Sequence, residues 1–161
     1  MGGSMEAVAD YDGDFVSWLH HQAVLLRSGN PGELDLANLA EEMEEMGRSA
    51  RRAAMSHLIL ILWHLLKWRH QPERRCNSWR LTLREQRQRL RETLADNPGL
   101  RPHVEGMFMD AYEEARQRAS IETGLALAVF PEQAPFSWHQ VVDIRYLPTV
   151  DEVADGRLAG D

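Results

Sequence analysis

The run LILILWHLLKW at residues 58–68 constrains this chain more than any other feature. Between Leu58 and Leu66 only His64 is not apolar. Leu58, Ile61, Leu62 and Leu65 form one stripe at helical spacing, and Ile59, Trp63 and Leu66 form a second on the far side. A helix that is apolar all round either crosses a membrane or forms the inside of a globular bundle. This run falls well short of the roughly 20 apolar residues a membrane span needs. Arg51, Arg52, Lys67 and Arg69 also hem it in. The reading is therefore a central helix covered on at least two sides. The fold class that follows is all-α: a bundle of four main helices around a long central helix, plus a short C-terminal helix.

Local signals place the neighbours. Phe15, Trp18, Leu19, Gln22, Leu25 and Leu26 keep the helical period over 12–28, with Asp10, Asp12 or Asp14 able to cap and Gly29-Asn30-Pro31-Gly32 as the stop. Asp35 is the expected N-cap of helix two, with Leu34 and Leu39 as a hydrophobic staple. No proline interrupts 35–70, which would give an unbroken helix of about 54 Å. Gly47 and Ser49 are the natural place for a bend or break. Its acidic half is expected on helix one and its apolar half on helices three and four. Helix three is expected over 78–95, with Trp79, Leu83, Leu90 and Leu94 buried. Helix four is expected over 100–123, with Gly124 as its cap. The apolar loop that follows should lie across the bundle. Ser137 and Gln140 make a capping box, and Phe136 and Val141 a staple, for a short helix over 138–143.

The 161 residues fit one helical domain, expected over 11–148, with a disordered N-terminus (1–10) and an acidic tail (149–161). Met1-Gly2-Gly3-Ser4 reads as a vector-derived leader. No secretory signal is visible, and the single cysteine, Cys76, fits a reducing compartment, so the expected location is cytoplasmic with no membrane association. The net charge of −7 is unevenly spread: residues 33–45 hold six acids and no base, whereas residues 48–91 hold twelve bases against two acids. Such blocks in one bundle usually pair with each other or face water.

Few residues carry the pattern of a chemical site. His57 and His64 lie seven apart on helix two, within reach of Arg84 and Glu85 across a helical hairpin, which makes these four the candidate polar pocket. A metal needs three or four convergent ligands, and no Glu has a His three residues later, as a carboxylate-bridged di-metal bundle would require. No metal or other cofactor is expected. His20-His21 point apart, His139 and Asp143 are a lone pair, and Cys76 lacks a histidine partner. Arg80, Arg84, Arg87 and Arg91 form a row on helix three, the candidate anion-binding row. The alternative is that Glu105, Asp110, Glu113 and Glu114 of helix four pair with it, and this is the favoured reading.

The order of short motifs resembles a known family. It runs Tyr11-Asp12, Asp14-Phe15 and Trp18; Leu34-Asp35, Asn38-Leu39, Glu41-Glu42 and Gly47-Arg48-Ser49; His64-Leu65-Leu66-Lys67-Trp68 and Pro72. It continues with Ser78-Trp79-Arg80 and Glu85-Gln86-Arg87, then Glu122-Thr123-Gly124-Leu125 and Phe130-Pro131. This order is similar to that of domain-of-unknown-function family twenty-nine of bacteria and cyanobacteria, over about 11–148. The resemblance implies a small all-helical, stand-alone bacterial protein and carries over no activity and no catalytic residue. The leading functional expectation is a protein-interaction or regulatory module, self-associating as a homo-oligomer or binding another protein through apolar surface on helix one or the chain's end. An enzyme or small-ligand or metal binder using the polar pocket comes second. Anion or nucleic-acid binding through the arginine row comes third, nucleic acid being disfavoured.

Overall fold

The structure is a computed structural model that describes residues 10–149. The expectations of a vector-derived, disordered N-terminus and of an acidic tail fall outside that range, Asp10 and Thr149 apart. Among the described residues five α-helices follow one another: α1 (Phe15–Ser28), α2 (Leu36–His70), α3 (Asn77–Asp96), α4 (Val104–Thr123) and α5 (Trp138–Val142). Short 3-10 turns lie at Pro31–Glu33, Pro72–Arg74, Pro98–His103 and Leu127–Val129. No strand occurs among the described residues. The molecule is an all-α bundle with a long central helix.

Caps set the ends. Asp14, rather than Asp12, accepts from the Ser17 backbone N–H at 3.0 Å, because the chain from Asp10 first makes a turn through Gly13. Asp35 accepts from both the backbone and the side chain of Asn38, and these bonds hold its carboxyl below the ordinary range. Helix α4 starts at Val104 and not Leu100, since Pro102 disfavours α geometry at Arg101 and leaves a 3-10 stretch before it. Gly124 ends α4 in the left-handed region at φ 72°, where a side chain would be strained.

No break interrupts α2 at Gly47 or Ser49. An interior glycine costs about 1 kcal/mol relative to alanine. Glutamate and methionine before it and alanine after it favour the helix. Arg48 also reaches back across the glycine to Glu44 at 3.3 Å and to Glu45 at 2.9 Å. The resulting helix runs for 35 residues.

The chain divides into two compact units, one ending at Arg48 and one beginning at Ser49, and α2 contributes to each. In the first, Trp18, Leu25 and Leu39 are buried, and Tyr11 and Phe15 pack on Trp18 with centroids 4.8 and 5.8 Å away. The buried Gln22 accepts from the Asp35 N–H at 2.9 Å and Tyr11 donates to Glu42, so α1 and the acidic half of α2 are tied together as expected.

In the second unit the run 58–66 supplies the centre of the core, with Ile59, Leu60 and Trp63 only partly buried. Leu58, Ile61, Leu62, Leu65 and Leu66 are at most 1% exposed. Leu83 and Leu90 of α3 meet them, as do Met107, Ala111, Ala115 and Ala119 of α4, all buried. The alanine seam lets α4 lie close against the leucines. The loop after Gly124 delivers Phe130 to this core, while its Leu127 and Val129 stay on the surface. The Ser137–Gln140 capping box is formed, and Phe136 and Val141 are both buried. Each fully buried leucine contributes about 1.5–3 kcal/mol. Leu62→Ala is therefore expected to lower unfolding free energy by about 2–5 kcal/mol, and the exposed Ile121→Ala by less than about 0.5, both measured by urea titration.

Candidate functional site

The four candidate pocket residues do not bond to one another. His57 turns to α3, its Nδ1 2.7 Å from Gln86 Oε1. His64 is buried and its Nδ1 meets the Leu60 carbonyl of its own helix at 2.8 Å. Arg84 and Glu85 are exposed on α3. Among the described residues no group of three or more His, Cys, Asp or Glu could hold a metal ion.

One turn beyond His64 the chain's only lysine is buried instead. Lys67 Nζ donates to Glu122 Oε1 at 2.9 Å and lies 4.5 and 5.3 Å from the ring centroids of Trp79 and Trp63. One carboxylate and two indole faces compensate its charge. This joins α2, α3 and the end of α4, and its partners leave the ammonium no free approach to a substrate. Trp68 carries the Arg75 guanidinium in the same manner, 5.3 Å from its ring, so the three indoles stack cations at the edge of the core.

The arginine row splits by environment. Arg87 is 2% exposed and donates to three carbonyls: Nε to Val141 at 2.8 Å, Nη1 to Tyr146 at 2.9 Å and Nη2 to Gln140 at 3.3 Å. It thereby caps the end of α5 and fastens the chain out to residue 146 onto α3. Burial pushes its guanidinium down to about 10, partly offset by the fields of Asp143 and Tyr146, so it stays charged at neutral pH. The expected pairing with α4 does not form among the described residues. The segment following α5 covers the middle of the row, and Glu113 and Glu114 turn to Arg116 and Arg118 on their own helix, at 3.4 and 2.7 Å.

Two grooves flank Arg87. One, of about 460 Å³, is lined by Arg80, Arg84 and Arg145 with Leu81, Leu83, Ile144 and Leu147. The other, of about 290 Å³, is lined by Arg91 and Arg101 with Leu90, Leu94, Ala95, Trp138 and Val142. No carboxylate lines either. Among the described residues Arg80, Arg84, Arg91, Arg101 and Arg145 are exposed, and their guanidinium groups make no hydrogen bond or ion pair. Trp138 meets Phe108 edge-on at 6.3 Å and walls the second groove. Such a face can hold carboxylates or phosphates bidentately beside an apolar body.

A family model, Domain of unknown function DUF29, matches residues 11–147. The chain belongs to DUF29. Neither a curated protein nor a solved structure matches it. No described helix of this DUF29 chain is long and apolar enough to cross a membrane.

The pattern of the row alone did not single out Arg87, although it also falls in the stripe Leu83, Arg87, Leu90, Leu94. Lys67 announces itself only as the single lysine among seventeen arginines. Replacing Arg87 with Leu leaves three carbonyls unmet and is expected to cost about 3 kcal/mol or more. Hydrogen exchange over residues 138–147 of the DUF29 chain should speed up well before the rest of the second unit opens.

Two histidines should shape its acid response. Burial, with the charge of Lys67 as a lesser contribution, holds His64 below its ordinary 6.5, against the opposing Leu60 carbonyl and Glu122. Burial, and then the charge of Arg69, does the same to His70. The unfolded chain thus binds protons first, and stability falls as pH drops from about 6.5 towards the lowered folded values. Thermal melts of wild type should show Tm decreasing over that window, and His64→Gln should flatten the slope.

Proposed function

We propose that this DUF29 chain is a protein-interaction module whose α3 face takes an anionic, partly apolar protein segment. The observation that carries the reading is the pair of carboxylate-free grooves lined by arginines, five of them exposed and without an ion-pair partner among the described residues. The exposed Leu81 and Ile144 add an apolar strip to the larger groove. That mixture suits an amphipathic acidic peptide better than a bare phosphate chain. An overall charge of −7 also repels nucleic acid at long range.

The test is fluorescence anisotropy with a labelled peptide of alternating Glu and Leu blocks, beside a labelled single-stranded oligonucleotide of equal charge. The peptide is expected to bind, and to weaken as salt rises. Joint substitution Arg84→Glu and Arg145→Glu should lower affinity by about tenfold or more. No binding, or binding that these substitutions leave unchanged, overturns the reading. Tighter binding of the oligonucleotide would replace it with a nucleic-acid module.

A further inference from the structure

The acidic block of this chain supplies the kind of segment that the α3 face fits. On the first half of α2, Leu36, Ala40, Met43 and Gly47 recur at intervals of four, three and four residues and so share one face. All four are exposed, Leu36 at 67% and Met43 at 62%. Leu36 and Met43 thus leave two large apolar side chains uncovered on one strip. Ala40 and Gly47 are small, and a Cβ added at Gly47 would meet nothing within 4 Å, so another chain can approach there closely. Glu44, four residues after Ala40 and three before Gly47, borders the strip, and Glu41 lies beyond it on the same flank. Both are exposed, and Glu41 makes no ion pair among the described residues. Arg48 pairs with Glu44 at 3.3 Å on that flank.

The larger groove on α3 has the converse pattern. Its apolar strip is Leu81, 57% exposed, with Ile144, 38% exposed, and its border is Arg80, Arg84 and Arg145. Apolar centre meets apolar centre, and carboxylate border meets guanidinium border. The arginine side supplies planar donors that grip carboxylates two bonds at a time. We infer that the occupant of the α3 groove is the acidic, apolar face of residues 36–47 of α2 from a second copy of this chain. The inference rests on the groove reading given under Proposed function and names its partner. Each copy offers one of each surface, so two copies can exchange faces reciprocally in a closed dimer, or a one-way contact closes into a larger ring or extends.

Sedimentation velocity on the full chain tests this, at about 1 to about 100 μM and at low and high sodium chloride. The expected result is a mass that at least doubles with concentration and returns to that of one chain in high salt. Two charge-reversed variants extend the test, Arg80→Glu with Arg84→Glu, and Glu41→Arg with Glu44→Arg. All four positions are exposed, and circular dichroism checks that both variants fold. Each alone should sediment as one chain. Mixed in equal amounts they should associate again, because the intact acidic face of the first meets the intact groove of the second. A single-chain mass for wild type at every concentration overturns the inference, as does association that neither salt nor the α3 reversal moves. If the Glu/Leu peptide still binds in that case, the groove reading stands and only the second copy is excluded. If the peptide does not bind, both fall.

Discussion

Removal of residues 58–66 from water is the constraint that the second unit answers to. Five of its leucine and isoleucine side chains are essentially inaccessible, which at about 1.5–3 kcal/mol each is comparable to the whole net stability of a domain. A helix with no polar flank has to be enclosed, and the enclosure explains the composition of everything around it. Helix α4 presents an alanine seam because only small residues let a second rod lie against leucines on that side. The loop after Gly124 is apolar because it closes the remaining gap with Phe130, and the final segment adds Phe136 and Val141. His64, the one polar interruption, spends its Nδ1 on the backbone carbonyl one turn earlier and so stays inside without a charged partner.

Enclosure by a loop and a five-residue helix needs a fastener, since so short a helix has little stability of its own. Arg87 supplies it. A guanidinium with its donors fixed in one plane reaches the carbonyls of Gln140, Val141 and Tyr146 at once, a reach a lysine ammonium on a flexible stem does not match. Lys67 ties the start of α3 to α2 and α4, its ammonium bonded to Glu122 and set beside the indole faces of Trp63 and Trp79.

Much of this was legible from residues close in sequence. The burial of the stripe Leu58, Ile61, Leu62 and Leu65, the caps at Asp35, Gly29 and Gly124, and the Ser137–Gln140 box all depend on neighbours within a turn or two, and each appears in the fold. Ile59 and Trp63 of the second stripe are only partly buried. Gly47 misleads because a glycine's local cost is small against the propensity and ion pairing of the residues around it. Leu100 misleads because Pro102 acts on the residue before it. The arginine row is a different case. Its spacing was plain, but whether its members meet carboxylates, carbonyls or water depends on a segment more than fifty residues further along. Periodicity shows that four arginines share a face and is silent on what else arrives there. The same holds for the pocket built from His57, His64, Arg84 and Glu85, whose members share a hairpin, but whose histidines turn to other partners while Arg84 and Glu85 are exposed.

That division within the row bears on function. An arginine row wholly paired with α4 would be structural, and one wholly exposed would be ordinary solvated surface. Here the central member is consumed by the fold, and in being consumed it draws the C-terminal segment against α3, which creates a wall for the groove on either side. The outer arginines are thus lifted from a flat helix surface into concave settings with leucine, isoleucine and tryptophan beside them. In a recess water is partly excluded, and a charge-assisted bond there is stronger than on an open surface. Glu113 and Glu114 of α4, expected to meet the row, pair instead with Arg116 and Arg118 on their own helix. Solvent still serves these exposed guanidinium groups in the free chain, so the binding proposed for them rests on the concave, half-apolar setting and not on relief of a buried charge.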